Sequence, residues 1–234
     1  HDILFTFESD LSWYQKRVQA KKRDDVSGIL HEINSARVAM LSPFAPHVAE
    51  EMWEKLGNSE LVSKSSWPEY SSDKVDVSVI QAEELLKSTI EDISNILKVT
   101  KISPKKIVIY VNSDSVKSKI YRKILNIMVG GQNNMGVVMK ELIADPETID
   151  AKKMPDYVQK VIKDLHSESE SIKKMKLESE SFNEKEFLLS ELSSIGQKEF
   201  GVEIQVYSDS DSDIYDPKGK ARHARPYKPA ILIE

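Results

Sequence analysis

The chain has 234 residues, 40% of them apolar and 30% charged, with a net charge of −5 and no cysteine. That length and apolar content suffice for one large or two ordinary domains with a real core, and the missing cysteines exclude disulfides and thiolate metal sites. No apolar run approaches the ~20 residues needed to cross a bilayer, and the net acidity argues against a protein coated in basic residues for nucleic acid, so any such role must fall to local clusters of Lys and Arg.

The sequence opens at His1 without methionine and runs into Ile3, Leu4, Phe5 and Phe7, as though cut from a longer polypeptide. It reads as mostly α, with a helical bundle over residues 1–103, a small α/β or α+β domain over 104–213, and a basic tail over 214–234. Near the start, Lys16, Arg17, Lys21, Lys22 and Arg23 gather on what reads either as a solvated helix face or as a candidate nucleic-acid-binding cluster that tracks a phosphate backbone. From Asp24, the positions Val26, Ile29, Leu30, Ile33, Ala36, Met40 and Leu41 keep the helical period and predict a helix stopped at Pro43. Arg37 falls inside that apolar stripe, where an unpaired charge is costly. It is expected to hold a buried carbonyl or a carboxylate of the next helix such as Glu51, or else to reach a phosphate. Pro46 suits the first turn of a second helix, which carries Ala49, Met52, Trp53 and Leu56 and stops at Gly57. Two helices joined so tightly should form an antiparallel hairpin with Phe44, Met52 and Trp53 in its core. Residues 58–77 form an irregular connection, after which Ser78 and Gln81 suggest a capping box for a third helix lined by Leu86, Ile90, Ile93 and Leu97.

The pattern changes at Pro104. Ile107 to Val111 is a continuous β-branched and aromatic run, as in a strand covered on both faces, whereas Val202, Ile204 and Val206 alternate with Glu203, Gln205 and Tyr207. Helical patterns intervene at Val116–Ile127, Val158–Leu165 after Pro155, and Leu188–Ile195 after Asn183. Gly130, Gly131 and Gly136 read as a helix stop and loop. The acidic serine run 208–213 is expected to be a flexible turn or linker, and the apolar ending Ala230 to Ile233 an edge strand.

No recognised catalytic motif is present, and none of the five histidines stands one helical turn from another, so neither a catalytic nor a metal site is expected. The sharpest functional signal is the tail, where Lys218, Lys220, Arg222, His223, Arg225, Tyr227 and Lys228 interleave base with an aromatic ring, as suits phosphate contact with base stacking.

The segment Leu41-Ser42-Pro43-Phe44-Ala45-Pro46-His47-Val48-Ala49-Glu50-Glu51-Met52-Trp53, followed by Trp67-Pro68, resembles the helical anticodon-binding domain of class I aminoacyl-tRNA synthetases for leucine, isoleucine, valine and methionine. Its wording after Phe44, and the ending Ala224 to Glu234, are most similar to leucyl enzymes of the archaeal and eukaryotic type. The two nucleotide-binding signatures of that class are absent from the chain. The resemblance therefore implies a non-catalytic, cytoplasmic tRNA-binding region of a ligase, whose ATP, magnesium and leucine are bound by the remainder of the same polypeptide. It implies further that the partner is tRNA(Leu), contacted along its body and long variable arm, and that the terminal Ile233 and Glu234 help to read that arm. Two other readings stand beside it: a protein-interaction module using the acidic helix from Glu184 and the apolar edge Ile231–Ile233, and an independent enzyme.

Overall fold

The structure, a computed structural model, describes residues 7–21, 26–69, 71, 74–179 and 182–234, leaving aside the side chains of Ala20, Lys21, Ser194 and Gln197. It is mostly helical with one three-stranded sheet, as the sequence pattern suggests. The chain separates into two compact units, His1–Val75 and Asp76–Glu234.

The first unit contains helices α1 (Phe7–Lys21), α2 (Ser27–Leu41) and α3 (Pro46–Lys55), followed by a 3-10 turn at Val62–Lys64. Pro46 opens α3, where its missing N–H costs nothing. Ala49 is fully buried against Val38, Ala39 and Val62, with Trp53 and Leu56 beside them, so the smallest side chain of the motif sits where α3 and α2 pack. Glu50 then ties the following turn, its carboxylate accepting from the amides of Val62 at 2.8 Å and Ser63 at 3.4 Å.

Two expectations for this unit are corrected. Phe44 is 84% exposed and Met52 43% exposed. The inner face of α3 is taken by Ala49, Trp53 and Leu56, and Met52 lies off that face on the same side as the exposed Val48. Arg37 does not meet Glu51, which pairs instead with Lys55 on its own helix. Its Nη2 lies 2.9 Å from Glu8 Oε2 on α1 and its guanidinium lies 5.2 Å from the Phe7 ring, a half-buried arrangement that satisfies the charge within the unit.

The second unit begins with helix α4 (Val77–Thr100). Its N-cap is Asp76, whose carboxylate accepts from Ser78 at 2.9 Å and Val79 at 3.3 Å; this replaces the expected Ser78–Gln81 box, because a charged acceptor one residue ahead of the helix suits both the free amides and the helix dipole better. The composition change at 103/104 marks the start of strand-forming sequence. The compact units divide earlier, since α4 packs on α8 (Glu170–Glu178) and α9 (Glu184–Phe200).

Helices α5 (Ser115–Val129), α6 (Met135–Ala144) and α7 (Pro155–His166) enclose one core built from Ile120, Ile124, Leu142, Val158 and Leu165 with their neighbours. Gly131, at φ +89, makes the turn after α5. Neither α6 nor α8 was legible as a helix, the first because it follows that glycine-rich stretch, the second because it is short and mostly polar.

The sheet has the order β2-β1-β3. Strand β1 (Ile107–Val111) is buried along its whole length and lies between β2 (Ile204–Ser208), parallel with Ile107 opposite Ile204, and β3 (Ala230–Ile233), antiparallel with Ile107 opposite Ile233. The terminal apolar run is thus an edge strand, as expected. Helix α9 lies so close to β2 that a Cβ on Gly196 would stand 2.7 Å from the Ile204 side chain.

The acidic serine run is not a flexible linker. Asp209 donates its amide to Val111 O at 2.9 Å, accepts from the Ser113 amide at 2.8 Å, and pairs with Lys117 at 3.0 Å, with 16% of the lysine and 6% of the aspartate side chain exposed. Asp211 accepts from Ser208 N at 2.8 Å and from Lys185 at 2.7 Å. Short polar side chains that cannot build an apolar core here bind the ends of β1 and β2 to the starts of α5 and α9. Replacing Asp209 by Ala should cost about 3 kcal/mol by stranding a desolvated lysine, and the Lys117→Met/Asp209→Ala pair should recover part of it. Chemical denaturation checks this; a loss under about 0.5 kcal/mol would mean the ion pair behaves like an exposed one.

Candidate nucleic-acid interface

The basic tail is a folded feature rather than a loose end. Asp216 accepts from the amides of Lys220 at 2.7 Å and Ala221 at 2.9 Å, and so starts a 3-10 turn at Ala221–His223, anchored by buried Ala221 and Ala224. Lys218, Lys220, Arg222 and His223 are all exposed around that turn. Burial and the positive charges of Lys160, Arg222, Lys220 and Arg225 hold the His223 imidazole below its ordinary 6.5, which marks the spot as electropositive. Lys160, on α7, belongs to this patch although nothing in its local sequence singled it out.

The other tail residues are committed differently. Arg225 forks onto Asp164 at 2.9 Å and 2.7 Å with 15% of its side chain exposed, so its charge is largely spent inside the fold. Lys228 stays exposed, 3.9 Å from the same carboxylate. Tyr227 is half-buried, with its ring 5.9 Å from Tyr121 and 6.0 Å from Phe182.

The terminus is pinned by backbone. The Glu234 amide donates to Lys106 O at 2.9 Å and its carbonyl accepts from Lys106 N at 2.9 Å. In an antiparallel ladder such a pair alternates with one whose amide and carbonyl turn outward, so Ile233, opposite Ile107, directs its main-chain groups away from β1. Its side chain is buried. The Glu234 carboxylate accepts from the Tyr215 hydroxyl at 2.8 Å, which raises that phenol's pKa, and Lys106 stands 3.8 Å over the Tyr215 ring.

The early basic run is only partly what its sequence suggested. Lys16 is exposed on α1 and lies 5.6 Å over the Trp13 ring, but Arg17 is buried, at 8% exposure, and does not belong to a solvated face. An amphipathic helix turns part of any continuous basic run toward its neighbours, and Arg17 is on that side. The Lys21 side chain, Lys22 and Arg23 lie outside the described residues. Among the described residues no group of His, Asp or Glu is arranged to hold a metal ion, and no helix is long and apolar enough to cross a membrane.

The fold and the motif meet in one class of protein. Residues 1–109 match the family model for the anticodon-binding domain of tRNA ligase, and that stretch of the chain belongs to the family. Along its whole length it is similar to archaeal leucine–tRNA ligases: 34% identical to that of Methanococcoides burtonii over 100% of the chain and 23% of the relative, 33% to that of Pyrococcus abyssi over 99% and 22%, and 29% to that of Methanothermobacter thermautotrophicus over 100% and 23%. The chain spans less than a quarter of the length of these relatives.

His223 gives a direct reading of the patch. Because its folded pKa is lowered, the unfolded chain binds the proton first, so its contribution to stability falls as pH drops through 6.5. An NMR titration should place its midpoint below 6.5 in the free protein, and added polyphosphate should raise it by supplying counter-charge. A midpoint unmoved by saturating polyphosphate would show that anions do not settle there.

Proposed function

We propose that this chain is a tRNA-binding region of a leucine–tRNA ligase, holding the body and long variable arm of tRNA(Leu) while the rest of the polypeptide carries out the ATP-dependent attachment of leucine in the cytoplasm. The observation that carries the reading is the patch of Lys218, Lys220, Arg222 and His223, fixed by Asp216 in the same unit as the outward-facing backbone of Ile233. Phosphate contacts hold and orient RNA without reading it. Unpaired loop bases, by contrast, expose edges that a carboxylate and a strand's free amide and carbonyl can read. Lys218, Lys220, Arg222 and Lys228 supply the first kind of contact, with Lys16 adding to it from α1. Glu234 and the Ile233 main chain supply the second. ATP and magnesium have no assigned residues in this region.

The interaction-module reading loses its main feature, because Glu184 and Glu191 of the acidic helix turn inward, with Glu191 only 7% exposed.

Changing Lys218, Lys220, Arg222 and Lys228 together to Ala should weaken every tRNA by a similar factor and flatten the slope of log affinity against log salt by roughly 0.7–0.9 for each phosphate no longer neutralised. Filter binding between low and physiological salt checks this, and an unchanged slope would remove the patch from the interface. Glu234→Ala keeps the backbone pair with Lys106 and removes no base. It should leave non-specific affinity intact while preference for tRNA(Leu) over an unrelated tRNA falls by ~1–3 kcal/mol. If melting temperature drops instead and the preference holds, the terminus serves only the sheet.

A further inference from the structure

Outside the basic patch, the second unit contains a cavity of about 360 Å³ lined by residues that the phosphate-binding role does not use. It lies where β1 ends, at Val111, Asn112 and Ser113, between the first turns of α5 and the start of α9. Loops beyond the carboxyl ends of parallel strands are where α/β folds take their ligands. Its volume is at the small end of ligand sites, enough for one compact group rather than a large cofactor.

The lining is unusual in three ways. First, two of its polar atoms are shielded from solvent and have no hydrogen-bond partner: Asn112 Oδ1 and Glu184 Oε2. Each is an acceptor aligned with nothing, and a buried acceptor left unmade costs stability. Burial pushes the Glu184 carboxyl up to about 7 even though its other oxygen accepts from Tyr227 N at 2.9 Å and Lys176 opposes the shift.

Second, the rings of Tyr121, Phe182 and Tyr227 line the same space. Tyr227 is there at a conformational cost. It follows Pro226 in a tight turn closed by Lys228 N to Arg225 O at 2.9 Å, and its φ is +58, a backbone region that favours glycine at such a position. That strained backbone sets the Tyr227 ring against Tyr121 and Phe182 at the cavity wall.

Third, Arg122, Lys176 and Lys185 also line the cavity. Lys176 and Lys185 are paired with Glu168 and Asp211, but Arg122 donates only to the Leu177 carbonyl at 3.1 Å and meets no carboxylate among the described residues.

We propose that this cavity takes one unpaired nucleotide whose base carries an exocyclic amino group, stacked on Tyr227, with the Asn112 and ionised Glu184 side chains turning their now-shielded Oδ1 and Oε2 into the cavity to accept from the base and Arg122 meeting the phosphate. The free acceptors call for a donor-rich ligand, the rings for a flat one, and the lining cations disfavour any ligand of net positive charge, such as an arginine-bearing peptide. Guanine, adenine and cytosine present amino donors; uracil presents a single N–H between two carbonyls, which face these acceptors badly. The proposal rests on the tRNA-binding reading for the source of the nucleotide but not for the chemistry of the cavity.

The test uses the full 234-residue chain and the four nucleoside 5′-monophosphates as probes, followed by NMR at the Asn112 side-chain amide and the Tyr227 ring. GMP, AMP and CMP should move both signals, and UMP should bind roughly five- to tenfold more weakly, the step expected for one base-edge pair. Glu184→Gln keeps an acceptor for the Tyr227 amide but offers the cavity N–H groups, so UMP should gain relative to the other three. Arg122→Ala should weaken all four without changing their order. If none of the four moves these signals in the wild-type chain, or if UMP binds as well as the rest, the cavity is a packing void and the proposal falls. The two readings separate cleanly. Retained tRNA binding with no mononucleotide order sinks the cavity alone, whereas ordered mononucleotide binding with no tRNA binding sinks the tRNA reading alone.

Discussion

Everything in the second unit depends on the burial of β1. Its five residues, Ile107 to Val111, are between 0% and 1% exposed, and a strand so enclosed must satisfy every backbone group through neighbouring strands or specific contacts. One edge is met by β2, far along the chain beyond five helices, and the other by β3 at the chain's end. The tail therefore has a fixed place. Its basic turn, its tyrosine and its terminal carboxylate are presented in a defined geometry because the last strand completes this ladder.

The same constraint organises the polar groups. Where β1 and β2 end, their free backbone groups need partners, and Asp209 and Asp211 supply them, with Ser113 and Lys117 holding the Asp209 carboxylate in a compact cluster. Beside that cluster, Asn112 and Glu184 are left with unpartnered oxygens. Fully satisfied networks stabilise a fold, and partly satisfied ones do so less well, so the contrast between neighbouring groups of the same chemistry separates structural acids from those with capacity to spare for a ligand.

The first unit shows how a diagnostic motif can be almost entirely structural. Pro46 starts α3, Ala49 packs it on α2, and Glu50 captures the following 3-10 turn. These roles require a particular residue type at each position, which makes the segment distinctive without making it reactive. Phe44, Val48 and Met52 remain exposed on the same segment.

Helical periodicity in the sequence was enough to locate α2, α3, α4, α5, α7 and α9, and β-branched runs located the three strands, because burial of one face or both leaves a local signature. The family followed from the proline- and glutamate-marked hairpin, and the basic tail from composition. What local pattern could not carry was anything settled by distant partners. Arg37 meets Glu8 rather than Glu51, Arg17 is buried while Lys16 is exposed, Arg225 is spent on Asp164 while Arg222 faces solvent, and Lys160 joins a patch formed far downstream of it in sequence. The acidic serine run looked disordered because its composition cannot bury apolar surface, yet it is ordered by hydrogen bonds to Val111, Ser113 and Lys117, none of which lies near it in sequence. Side-chain charge is written in the sequence, but whether that charge is spent within the fold or left for a partner is decided only when the chain brings its opposite within reach.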